Sequence, residues 1–144
     1  MKKRAVDLDP TSSWIATLHK LFFRGRWTAP QLVSSQFLRI WWTSQGASVG
    51  SGTVLPRLQV TWPHQLKIGN NCILENDIFF KYDGPWRLGP RIIIHDNVFI
   101  GRGCEFNISA NISIGNNCLI ASGCKFIDHN HGMTDLYKPM KQQP

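Results

Sequence analysis

The second half of the chain places an apolar residue at every sixth position. Ile68, Leu74 and Phe80 open three hexads; Ile94, Ile100 and Phe106 open three more; Ile114, Ile120 and Phe126 a further three. A helix repeats near 3.6 residues and a strand near 2, so six fits neither as a continuous element. It fits a short strand and a corner, repeated around a coil, with the first residue of each hexad pointing inward. The fifth position also faces inward beside a corner, and there stand Cys72, Ile78, Val98, Cys104, Cys118 and Cys124. Asn, Asp and Gly fill the corners, where Asn and Gly tolerate positive φ. Three hexads make one triangular coil of about eighteen residues, and one strand repeat cannot bury its apolar face alone, so stacked coils must supply the core. The pattern predicts an all-β solenoid over residues 51–135, with coils starting at Ile68, Ile94 and Ile114 and a loop at 136–144.

The spacing also predicts insertions. Ile68 and Ile94 are 26 residues apart, and the excess falls in residues 81–91, punctuated by Gly84-Pro85 and Gly89-Pro90. Ile94 and Ile114 are 20 apart, which puts two extra residues between Asn107 and Ser113.

Residues 1–50 follow a different rule and read as a short helical segment. Trp14, Leu18, Leu21 and Phe22 form a helical stripe with Ser12 or Ser13 placed to cap it. A second helix is expected from Pro30 to Trp42, with Val33, Phe37, Ile40 and Trp41 as its stripe and Gly46 and Gly50 beyond its end.

Charge changes the picture of that segment. The formal net charge is +7, and residues 1–67 hold nine Lys/Arg against only Asp7 and Asp9, while the rest of the chain is balanced. Two readings follow for residues 14–42: a helical pair covering the first coil, or peripheral contact with an anionic membrane surface. Nucleic acid is not expected, because the basic residues are sparse and lie in no recognition motif. No apolar run reaches the eighteen or so residues of a membrane span, and the start leads into no signal-peptide core. Cytoplasmic location is expected, with the inner membrane face as the peripheral variant. The four cysteines share one hexad position, so they read as small buried residues rather than disulfide partners or metal ligands.

The candidate chemistry lies where the pattern stops, at Asp128-His129-Asn130-His131-Gly132. Imidazole titrates near neutrality and can take a proton from a hydroxyl, provided its other ring nitrogen is fixed. Asp128 or a backbone carbonyl could do the fixing, and Asp135 is another acid nearby. Hexad phase puts His131 sixth, on a corner where a side chain projects outward, and His129 fourth.

Residues 114–131 resemble the active-site coil of hexapeptide-repeat O-acetyltransferases, a family that includes maltose and galactoside acetyltransferases and sugar acetyltransferases of surface-polysaccharide synthesis. Aligned without gaps, the family's catalytic histidine falls on His131. Glu105-Phe106-Asn107 is similar to a segment whose Asn faces the acceptor, which implies Asn107 as a substrate-binding residue beside Asp128 and His129. The resemblance covers residues 68–144, and its Asp-His-Asn-His-Gly wording is nearest the polysaccharide and lipopolysaccharide branch. It implies a left-handed parallel β-helix, a homotrimer with shared clefts, acetyl-CoA as co-substrate, a sugar or glycan acceptor and no metal. It also implies further coils carrying much of the coenzyme A site, so that a chain ending at Pro144 reads as truncated. Two alternatives stand beside this: an inactive β-helix module, and a γ-carbonic-anhydrase-type zinc hydratase using His95, His129 and His131.

Overall fold

A computed structural model describes residues 11–23, 25–26, 29–130, 135 and 137–139. His131, Gly132 and residues 141–144 lie outside the described residues. Two helices, α1 (Thr11–Phe23) and α2 (Ala29–Ser44), precede eleven short strands among the described residues. These are β1 (Ser48–Val49), β2 (Gln59–Val60), β3 (Leu66–Ile68), β4 (Ile73–Leu74), β5 (Phe79–Tyr82) and β6 (Ile92–Ile94). The remainder are β7 (Phe99–Ile100), β8 (Glu105–Ile108), β9 (Ile112–Ile114), β10 (Leu119–Ile120) and β11 (Lys125–Ile127).

Every strand pair is parallel. Sheet A has the order β1-β3-β6-β9, sheet B β10-β7-β4 and sheet C β11-β8-β5-β2. The chain visits A, B and C in turn, and an isolated parallel bridge from Val54 to Ile73 supplies the missing visit to B before β2. Among the described residues there are thus four circuits, not three. The first begins at Ser48, where Ser48 and Val49 pair with Lys67 and Ile68. It escaped the six-residue pattern because its second side is one residue short: Val54 aligns nineteen residues before Ile73, but Val60 aligns twenty before Phe80. The path is compatible with a parallel β-helix.

Register gives the third circuit twenty residues, as its spacing predicted, against nineteen and twenty-six for the two before it. Ile94 lies beside Ile114, Ile100 beside Ile120 and Phe106 beside Phe126. The A-to-B and B-to-C sides each take six residues in the later circuits. The C-to-A side takes eight, from Phe106 to Ile114, because the C strand extends to buried Ile108 before the turn. The longer insertion is narrower than 81–91: Lys81 and Tyr82 belong to β5, and residues 83–91 form the loop.

The inward assignments hold. Ile68, Leu74, Ile78, Phe80, Ile94, Val98, Ile100 and Phe106 are buried, with Cys72 and Cys104. Phe80, Phe106 and Phe126 stack with ring centroids 4.9 and 4.8 Å apart. In the last circuit Ile114, Cys118, Cys124 and Phe126 are only half-buried, because β9, β10 and β11 have a neighbour on one side only among the described residues. All four cysteines are free thiols, and burial pushes the Cys72 and Cys104 thiols up from their ordinary pKa.

The corners repeat in columns. Gly52, Asn71, Asn97 and Asn117 share one A-to-B position, and all four have positive φ. A second column ties the circuits together by side chain. Ser51 N–H donates to Asn70 Oδ1 at 2.9 Å, Asn70 N–H to Asp96 Oδ1 at 2.7 Å, and Asp96 N–H to Asn116 Oδ1 at 2.9 Å. Backbone groups that the turn leaves unpaired are thereby satisfied.

The helices depart from expectation on which face packs. Leu38 and Trp42 of α2 lie against the core and Ser35 is buried, its Oγ accepting the Leu55 N–H at 2.9 Å. Positions 35, 38 and 42 lie on the side of the helix opposite the stripe of Val33, Phe37, Ile40 and Trp41, and that stripe is exposed. The stripe of α1 is exposed too. Helix α1 is described from Thr11, which places Ser12 and Ser13 within its bounds. Helix α2 ends at Ser44, just before Gly46 at φ +96°. No helix among the described residues is long and apolar enough to cross a membrane.

Candidate functional site

The site is built on the C-to-A corner of the last two circuits. In β8 the side chains alternate: Phe106 and Ile108 point into the core, so Asn107 points to the outer face of sheet C. Asn107 pairs in register with Lys81 on one side and Ile127 on the other. Its Oδ1 is buried and has no hydrogen-bond partner among the described residues. A buried carbonyl without a donor costs about 1–3 kcal/mol.

Asp128 follows directly on Ile127. Its Oδ1 accepts the Ser109 N–H at 2.6 Å and its Oδ2 accepts the Ala110 N–H at 2.8 Å. The carboxylate thus grips the turn of the circuit beside it, the same device as the Asn/Asp ladder at the A-to-B corner. Burial works to raise the Asp128 pKa, but the two backbone donors and His129 together outweigh it, and the net direction is down. Asp128 therefore stays ionised at neutral pH.

His129 presents Nδ1 to Asp128 Oδ1 at 3.3 Å, with both side chains mostly shielded from solvent. Such a contact favours the Nδ1–H tautomer and leaves Nε2 as the basic nitrogen. Of the four residues expected at the site, Asp128 and His129 meet at one corner, Asn107 lies in β8 in register with Ile127 just before them, and His131 lies outside the described residues. Because the preceding circuit spends eight residues on this side, hexad phase alone does not order His129 against His131. Asp135 is engaged locally, its Oδ1 accepting the Tyr137 N–H at 3.0 Å and its Oδ2 lying 3.5 Å from Lys138 Nζ.

His95 stands on another corner, where its Nε2 lies 3.1 Å from Ser113 Oγ. Among the described residues no three His, Cys, Asp or Glu side chains converge as metal ligands. A groove of about 430 Å³ lies elsewhere, under α2 and lined in part by Ser34, Arg57, Glu75 and Arg102, and it contains no histidine. What the sequence did not reveal is the Ser109–Ala110 cradle for Asp128. Its signal was the two-residue excess between Asn107 and Ser113, which creates the turn whose N–H groups need an acceptor.

No protein-family model matches the chain, and neither a characterised protein nor a solved structure matches it significantly.

Proposed function

We propose that this chain is a left-handed β-helix of the hexapeptide-repeat type that carries the base-bearing corner of an O-acetyltransferase. The observation that carries the proposal is the Asp128–His129 pair, clamped to the neighbouring turn at the end of the run that resembles the family's active-site coil, with Asn107 in register with the preceding Ile127. In the proposed reaction His131 takes the proton from a sugar hydroxyl. The freed oxygen attacks the thioester carbonyl of acetyl-CoA, a backbone N–H steadies the oxyanion, and coenzyme A leaves as its thiol with the proton returned from His131. No side chain is acetylated on the way. Asn107 and the Asp128–His129 pair would orient the acceptor. The assembly would be a cytoplasmic trimer with the site in a cleft between copies, acting in surface-polysaccharide or lipopolysaccharide synthesis.

A second reading is favoured by the 3.3 Å Asp128–His129 contact: His129 is itself the base, its tautomer set by Asp128. Thiol release from acetyl-CoA, measured with maltose or a β-galactoside as acceptor, tests both. His131→Ala should lower turnover at least a hundredfold, while His129→Ala should weaken acceptor binding. Loss confined to His129→Ala moves the base to His129. No transfer by the parent chain with any sugar acceptor, with purified trimers in hand, refutes acetyl transfer and leaves an inactive β-helix module.

A further inference from the structure

We infer that α1 and the outer face of α2 form a docking surface for an anionic lipid membrane. This does not rest on the acetyl-transfer reading. On α1 the residues Trp14, Ile15, Leu18, Leu21 and Phe22 fall within about a third of the helix circumference, and all are exposed, Trp14 by 60% and Phe22 by 68%. On α2 the stripe of Val33, Phe37, Ile40 and Trp41 is exposed by 60–71%. Helix α2 has already met its structural duty with its other side, where Leu38 and Trp42 seal the core. The outer stripe is therefore surplus to folding, and a monomer ordinarily breaks up an apolar patch of this kind.

Charge decides the occupant. Between Asp9 and Glu75 the chain carries Lys20, Arg24, Arg26, Arg39, Arg57 and Lys67 and not one Asp or Glu. On α1, Lys20 lies on the side opposite the apolar stripe, the arrangement of a helix lying in the plane of a lipid interface. A second copy docked face to face would set this acid-free stretch against itself and gain repulsion. Anionic headgroups supply the missing counter-charge, and the aromatic rings suit the headgroup boundary. The surface therefore lies on lipid rather than spanning it.

The experiment is co-sedimentation of the full chain with vesicles of phosphatidylcholine alone, or with 30% phosphatidylserine, at low and high salt. We expect binding to the anionic vesicles only, weakening as salt rises. Lys20→Gln with Arg39→Gln should lower partitioning roughly 30-fold, at the usual contribution of each surface cation. Phe37→Ser with Trp41→Ser should abolish it, with an unchanged circular dichroism spectrum because Leu38 and Trp42 are kept. Equal, salt-independent binding to both vesicle types, or no binding to either, overturns the inference. So does a Phe37→Ser/Trp41→Ser variant that keeps its vesicle binding but loses a self-association seen by sedimentation velocity.

Discussion

Removing the ring of Phe106 tests whether the aromatic column runs unbroken through the circuits. Phe106 is fully buried, with Phe80 stacked on one face at 4.9 Å and Phe126 on the other at 4.8 Å. Truncating a buried Phe to Ala costs about 3–5 kcal/mol, from lost burial plus the cavity left behind. Each aromatic pair adds about 0.5–1.5 kcal/mol, so Phe106→Ala should fall at the top of that range. Phe80→Ala breaks one pair and should cost about 1 kcal/mol less. Phe126 is half-buried and has one ring neighbour, so its truncation should cost about 2 kcal/mol. Urea unfolding followed by circular dichroism gives the three values. If Phe106→Ala abolishes folding, Phe106→Leu should still cost about 1–2 kcal/mol through lost stacking. Equal costs at 106 and 126 would refute the reasoning, because Phe126 would then be as fully enclosed as Phe106.

Three further predictions follow from the same geometry. Cys118 and Cys124, half-buried, should react with a thiol reagent in the native protein, while Cys72 and Cys104 should react only on unfolding; four equal rates would contradict the burial assigned to them. Asp128→Asn should cost about 1–3 kcal/mol, since one backbone donor would face an amide instead of an oxygen. The Asp128 pKa is lowered on folding, so its contribution is complete above the ordinary carboxylate range and is lost as pH falls through the lowered value; Asp128→Asn should flatten that acid limb in pH-dependent melting. Asn97 has φ +57°, so Asn97→Ala should cost about 1–2 kcal/mol and Asn97→Gly much less, as read from melting temperatures.

The residues that build the interior were legible because their period is rigid. Six residues separate Ile94 from Ile100 and Ile100 from Phe106, and the structure stacks each on its equivalent. The first circuit was less legible, since its second side drops a residue and Val54 keeps only a single bridge. Helix α2 misled for a different reason. A hydrophobic stripe reports where apolar residues cluster, not which side the fold uses, and here the buried side is held by Leu38, Trp42 and the hydroxyl of Ser35. At the site, residue types pointed to Asp128 and His129. Their contact, and the grip of Asp128 on the neighbouring turn, were not legible: the spacing showed two extra residues after Asn107 but not that the N–H groups of that turn would meet Asp128.

Of the three sides of the circuit, C to A changes length most, and after the first circuit it alone does. After the first circuit the other two hold at six residues, while this one runs from Phe80 to Ile94 in one circuit and from Phe106 to Ile114 in the next. Lengthening it leaves the corner columns and the buried stack untouched. The molecule thus has a single growth margin, and it is the margin that carries Asp128 and His129. A segment grafted between Ala110 and Asn111 would emerge between the 83–91 loop and the histidine corner, free to reshape what reaches that corner while Ser109 and Ala110 keep their N–H groups on Asp128.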